Sequence, residues 1–244
     1  MARLAVQSIA FLLAGLVLVP ACARVGGELW WNARRDSSEQ APDPATMREA
    51  VLQIYAARAV GWRGVFAVHT WIALKATDAA SYTRYEVIGW GVDRGAPAVR
   101  VNRMGPDNYW FGARPAPLVN LRGEGVDQLI ARVEQAVASY PYPSTYRAWP
   151  GPNSNTFTAY VGRAVPELAL RLPPTAVGKD YLPGGALVAR SPSGSGGQVS
   201  LLGLAGVLAG VDDGFELNLF GLTFGLDLKH PALKLPAVGR VGQP

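Results

Sequence analysis

"GVFAVHTWIALKA", residues 64–76, and "SYTRYEVIGWGV", residues 81–92, are separated only by "TDAA". Both runs are rich in β-branched and aromatic residues, and the short polar connection suits a turn, so the pair predicts a β-hairpin. Side chains alternate across a strand. Phe66, Val68, Thr70, Ile72 and Leu74 therefore share one face, a core face. Val65, Ala67, His69, Trp71 and Ala73 share the other. On the second strand Tyr82, Arg84, Glu86 and Ile88 lie together. If that is the His69 face, Glu86 can accept the second N–H of the imidazole and orient it. The bland alternative is a core histidine, with Glu86 paired to Arg84 or Arg147 at the surface.

Outward from the hairpin, Met47–Val60 is expected to be a short helix, capped by Thr46 with Glu49 completing a capping box. "AVRVNR" and "YWFGARP" read as further short strands. Val126–Ser139 carries apolar residues at Val126, Leu129, Ile130, Val133 and Val137, a helical spacing. A second helix is expected from about Asn155 to Val165, stopped by Pro166. The chain of 244 residues divides into a signal or anchor (1–25), a linker (26–46), a core domain (47–190), and a C-terminal hairpin with a tail (191–244). "RSPSGSGGQ" (190–198) reads as a flexible loop. In the apolar run after it, Asp213-Gly214 is a turn signal, which predicts a buried hairpin. The fold class is α+β, an antiparallel sheet with packed helices.

Hydrophobic residues make up 49% of the chain and charged residues 17%, which supports a packed core and excludes global disorder. The net charge of +5 is spread over single Arg residues without a Lys/Arg run, so no nucleic-acid partner is expected. Cys22 is the single cysteine, and His69 and His230 are the two histidines, so no metal site and no cofactor is expected. Leu4–Ala23 is apolar and uncharged. It reads as a signal cleaved before Arg24, as a lipobox-like "VPAC" with Cys22 lipidated, or as an uncut span. Each places the domain in the cell envelope, anchored to the inner membrane or exported to the periplasm.

The candidate chemistry lies in "WPGPNSNTF", residues 149–157. A helix start exposes unpaired N–H groups and the positive end of the dipole, both of which favour an anionic nucleophile or oxyanion. If Asn153 caps the helix, the Ser154 hydroxyl is free. If Ser154 is the cap, its oxygen is occupied. The catalytic reading is Ser154 as nucleophile, His69 as base, Glu86 as orienter and backbone N–H groups near Asn155 as oxyanion hole. Trp71, Tyr146 and Trp149 are expected to wall the pocket, with Asn153, Asn155 and Thr156 at its polar end.

"HTWIALK", "YTRYEVIGWG" and "YRAWPGPNSNTF" together resemble a family of uncharacterised bacterial proteins, domain of unknown function 3750, over roughly residues 30–240. More loosely, a strand histidine followed later by N-x-x-x-F opening a helix is similar to the circularly permuted NlpC-like papain fold. That group includes lecithin:retinol acyltransferase-like enzymes with the motif N-C-x-x-F. The resemblance implies acyl cleavage or transfer on peptides or lipids, with Ser154 at the cysteine position. Serine is the weaker nucleophile at neutral pH unless strongly activated, so the resemblance also admits a degenerate site. Two function classes stand: an envelope hydrolase or acyltransferase, and a non-catalytic envelope protein that binds a lipid, glycan or protein partner.

Overall fold

The computed structural model describes residues 31–242. The membrane-directed reading of Leu4–Ala23 falls outside them. Among the described residues no helix is long and apolar enough to cross a membrane.

The expected hairpin is present. β2 (Val68–Lys75) pairs with β3 (Thr83–Val87) in the register Trp71↔Glu86 and Ala73↔Arg84. With β1 (Val51–Arg58), β4 (Val99–Val101) and β5 (Ala116–Arg122) they form an antiparallel sheet ordered β4-β3-β2-β1-β5. One face buries Leu52, Ile54, Val68, Ile72 and Leu74 in the main core. The other buries Tyr55, Trp71, Ala73, Ile88 and Trp110 in a smaller one.

The helix expected over Met47–Val60 is instead β1. This strand lies between β2 and β5, and seven of its eight residues are buried. A strand buried on both faces carries an almost continuous apolar run, which periodicity alone does not separate from a helix. The would-be cap belongs to a turn: Thr46 Oγ1 donates to the Asp43 carbonyl at 3.3 Å. "YWFGARP" contributes one isolated bridge, Trp110↔Ala113, and the strand follows it as β5. The chain before β1 is irregular but fastened, with Ser37 Oγ and the Gln40 N–H both donating to the Asp107 carboxylate.

Helix α1 (Val126–Ala138) buries Val126, Ile130, Val133 and Ala136 against the main core. Helix α2 (Ser154–Ala164) buries Phe157, Ala159 and Val161 in the same core and ends before Pro166, whose ring and missing N–H break the ladder. The fold is α+β and rich in antiparallel sheet, as expected.

The C-terminal part departs most from expectation. Seven strands, β6 (Val188–Arg190), β7 (Gly196–Leu201), β8 (Ala205–Gly210), β9 (Gly214–Leu219), β10 (Leu222–Asp227), β11 (Ala232–Leu235) and β12 (Gly239–Gly242), form a meander. The expected loop at 190–198 is the β6–β7 turn region, and the expected tail supplies β11 and β12. The Asp213-Gly214 signal does fall between β8 and β9. Apart from Leu208, the large apolar residues of these strands are not buried, however. Gln198, Ser200, Glu216, Asn218, Thr223 and Lys234 point inward and are buried, while Val199, Val207, Phe215, Leu217, Leu226 and Leu233 are exposed. The inward face meets a charged ledge. Glu216 pairs with both Lys179 and Lys234, and Arg163 Nη2 donates to Gln198 Oε1 at 2.6 Å. Buried charges of this kind require partners, so the alternation was resolved with its polar half inside.

Candidate functional site

Asn153 is the N-cap of α2. Its Oδ1 accepts the N–H groups of Asn155 at 2.9 Å and Thr156 at 3.1 Å, and Thr156 Oγ1 accepts the Asn153 N–H at 3.1 Å. This capping box satisfies donors that a helix start otherwise leaves open. Asn153 Nδ2 donates to the carbonyls of Ala148 and Val177, both at 3.0 Å. Gly178 allows that seat: its φ is +98°, and a Cβ there would lie 2.3 Å from Asn153 Nδ2. Ser154 is thereby the first helical residue. Among the described residues nothing hydrogen-bonds its hydroxyl.

The start of α2 is fastened to β2 next to His69. Asn155 Nδ2 donates to the Val68 carbonyl at 2.9 Å. Thr70 Oγ1 donates to Asn155 Oδ1 at 3.0 Å and lies 3.1 Å from the Ser154 carbonyl. The polar atoms of Asn153, Asn155 and Thr156 thus build the site rather than face a ligand. The oxyanion donor expected near Asn155 is redirected for the same reason. The Asn155 and Thr156 N–H groups both point to Asn153 Oδ1, which leaves the Ser154 N–H, among the described residues, as the free donor of the first turn.

Glu86 does lie on the His69 face. His69 Nε2 is 3.0 Å from Glu86 Oε2, and Arg84 Nη2 donates to the same oxygen at 2.7 Å. The pairing with Arg84 is therefore not at the surface: all three side chains are buried, Glu86 completely. Arg84 also donates to the Gly105 carbonyl at 2.9 Å and lies 4.2 Å over the Trp71 ring. Burial pushes the Glu86 carboxyl up, but hydrogen bonds from His69 and Arg84 and the Arg84 charge outweigh it and hold it below the usual range. Burial also holds His69 below its ordinary value, against the pull of Glu86 and with the help of Arg84. An ionised carboxylate only accepts, so Nε2 carries the proton of the neutral ring and Nδ1 carries the lone pair.

His69 and Ser154 line one cleft of about 760 Å³, together with Asn153 and Asn155. Tyr146 and Trp149 are on its wall. Trp71 is not: it is fully buried behind His69, with ring centroids 5.8 Å apart, and donates from Nε1 to the Pro106 carbonyl. Thr156 also stands behind the wall. The aromatic surface beside His69 is Trp110, stacked on the imidazole at 3.8 Å and 14°, with Trp90 stacked in turn on Trp110. Sequence reasoning missed both tryptophans and the structural part of Arg84. Trp110 lies 41 positions from His69 in a stretch read as strand. The available signal for Arg84 was its place on the Glu86 face. Among the described residues no group of three or more His, Cys, Asp or Glu is arranged to hold a metal ion.

A family model described as "Protein of unknown function (DUF3750)" matches residues 49–181, which span β1 to the ledge residue Lys179 and to Asp180, whose carboxylate accepts the Gln198 side-chain amide, and include the whole His69–Ser154 region. No curated protein and no solved structure matches the chain.

Proposed function

Because the chain belongs to the DUF3750 family of proteins of unknown function, we propose its role from the cleft itself: a serine acyl-transfer enzyme, hydrolase or acyltransferase, acting on peptide or lipid in the cell envelope. One observation carries this reading. Ser154, at the first position of α2 with an unpartnered hydroxyl, and His69, with Nε2 on buried Glu86, line the same cleft. The order of strand histidine, partner strand and helix-opening N-x-x-x-F supports a permuted papain-like core as its framework.

In the proposed reaction Ser154 Oγ attacks the substrate carbonyl carbon and its proton passes to His69 Nδ1. The imidazolium is stabilised by Glu86, whose charge stays on the carboxylate. The developing oxyanion faces the Ser154 N–H and the positive end of α2. The carbonyl re-forms as the bond to the leaving group breaks, and His69 returns the proton to that group. Water, or an acceptor hydroxyl or amine, then enters with His69 as base and releases Ser154. Residues 4–23 would hold the protein at, or export it across, the inner membrane.

The test is a fluorophosphonate probe on the full-length protein. The expected result is one modified residue, Ser154, with labelling abolished in Ser154→Ala and His69→Ala. An unlabelled wild-type protein, or a label on another serine, refutes the enzyme. A second reading keeps the cleft as a binding site without turnover. It is favoured by Arg84 sharing the Glu86 oxygen that holds His69, because a carboxylate already neutralised by arginine stabilises an imidazolium less.

A further inference from the structure

The outer face of the C-terminal sheet is apolar across every strand. Following the register, Val188, Val199, Val207, Leu217 and Phe224 stand side by side on five consecutive strands, all pointing outward. The sheet has six inter-strand spacings of about 4.8 Å, so this face is about 29 Å wide. Soluble monomers rarely expose a continuous apolar patch of that extent without a use for it. No polar side chain interrupts its middle. The one outward charge, Arg190, lies on the edge strand.

We propose that this face docks on the surface of a lipid bilayer, with its side chains in the hydrocarbon boundary. Three features point to lipid. First, a protein partner of this size ordinarily exchanges about one hydrogen bond per 100–200 Å², and the middle of this face has no side chain to offer one. Second, the turns at the cleft end, β7–β8 and β9–β10, carry Leu202 and Phe220 at φ +51° and +54°. Asn, Asp or Gly is the ordinary choice at such positions, so backbone conformation does not call for these large apolar residues. Phe220 is nonetheless 71% exposed. At the opposite end the turns carry exposed Val211 and Leu228 as well, but also the Asp212–Lys229 ion pair, whereas the turns at the cleft end bear no charged side chain. Third, the net charge of +5 attracts an anionic bilayer and repels a second copy of the chain.

The sheet rests on the interface and does not enter the bilayer core. Among the described residues no further strand pairs with its edges, β6 and β12, and open edges are not tolerated in hydrocarbon. The cleft end, whose turns bear no charged side chain, dips deepest. There Phe220, Gly221 and Leu222 form part of the cleft wall, Leu222 also stands beside Leu219 on the outer face, and Trp149 Nε1 donates to the Phe220 carbonyl at 3.0 Å. The cleft mouth is thus continuous with the docking face. An acyl chain leaving the bilayer passes along Leu222 and Phe220 toward Ser154. The docking stands apart from Ser154 chemistry, whereas the substrate class it implies, an acyl group of a membrane lipid, rests on the reading above.

The test uses the full chain with Cys22→Ser and one new cysteine carrying an environment-sensitive nitrobenzoxadiazole probe. The cysteine is placed at Leu217→Cys on the outer face, at Leu226→Cys as a second outer site, or at Ala131→Cys on the exposed side of α1. Vesicles contain equal parts phosphatidylcholine and phosphatidylglycerol, with or without a spin-labelled acyl chain. Probes at 217 and 226 should shift to the blue and lose at least half their emission to the spin label, and the probe at 131 should do neither. Vesicle-bound protein with unquenched probes at 217 and 226 overturns the proposal, because residues 4–23 alone then hold it. Disulfide pairing of Leu217→Cys copies without quenching overturns it in favour of a sheet-to-sheet dimer. A probe already blue-shifted before lipid is added overturns it in favour of cover by the chain itself. Quenching in a protein that the fluorophosphonate leaves unmodified retains the docking and removes only the acyl-transfer reading.

Discussion

Replacing Glu86 by Gln tests the buried relay most directly. One carboxylate oxygen, Oε2, takes hydrogen bonds from both Arg84 and His69. The partner distances are 2.7 and 3.0 Å, and the side-chain exposures of Arg84 and Glu86 are 1% and 0%. The amide keeps the shape and one acceptor but removes the charge. Its new NH₂ group would occupy the place of Glu86 Oε1, which among the described residues has no hydrogen-bond partner and sits away from water. Breaking a buried pair from one side leaves the other charge uncompensated, at a cost of about 3–5 kcal/mol. The Gly105 carbonyl and the Trp71 face remain for Arg84 and place the expected loss near the lower end, about 3 kcal/mol. Equilibrium urea unfolding of Glu86→Gln, Arg84→Met and the double variant measures this. The double variant should be more stable than Glu86→Gln alone, with a coupling of about 1–3 kcal/mol. A loss below about 1 kcal/mol in Glu86→Gln, or additive single effects, would show that Arg84 does not depend on Glu86, and the relay argument would fail.

Asn153→Ala should cost about 2–3 kcal/mol, a lost cap plus a carbonyl at Ala148 that loses its side-chain donor, while the Val177 carbonyl keeps Asn155 Nδ2 at 2.8 Å, whereas Ser154→Ala should stay within about 0.5 kcal/mol; urea unfolding of the two variants separates them. For pH the sign follows from depressed folded-state pKa values. His69 is held below 6.5, so its contribution is whole above pH 6.5 and is lost as pH falls from there through the folded-state pKa; Glu86 adds the same trend below 4.5. The melting temperature should therefore decline on acidification, and His69→Gln should flatten the part that begins at 6.5. Trp110→Ala removes a buried ring stacked on His69 and should cost about 3–5 kcal/mol. It should also move the His69 pKa back toward 6.5, read by NMR titration, because water then reaches the ring.

Local rules were enough for the parts whose alternation or spacing is unambiguous. The runs 64–76 and 81–92 carry β-rich residues and a short turn, so the shared face of His69, Trp71, Arg84 and Glu86 follows from strand geometry alone. The string Asn153-Ser154-Asn155-Thr156 places a helix start within four positions by side-chain chemistry, but that Asn153 rather than Ser154 is the cap was decided by the structure. Helix α1 was legible because its apolar spacing has only one good solution. Tertiary structure decided the rest. Val51–Arg58 is a strand because β2 and β5 bury both its faces, and no local signal reports neighbours that arrive from residues 68–75 and 116–122. Trp110 reaches His69, and Trp71 retreats behind it, through packing between separate segments. The C-terminal alternation was visible, but its polarity was not. Which half of each strand turns inward depends on Arg163, Lys179 and Asp180 standing opposite, since a buried charge needs its partner more than an exposed leucine needs cover.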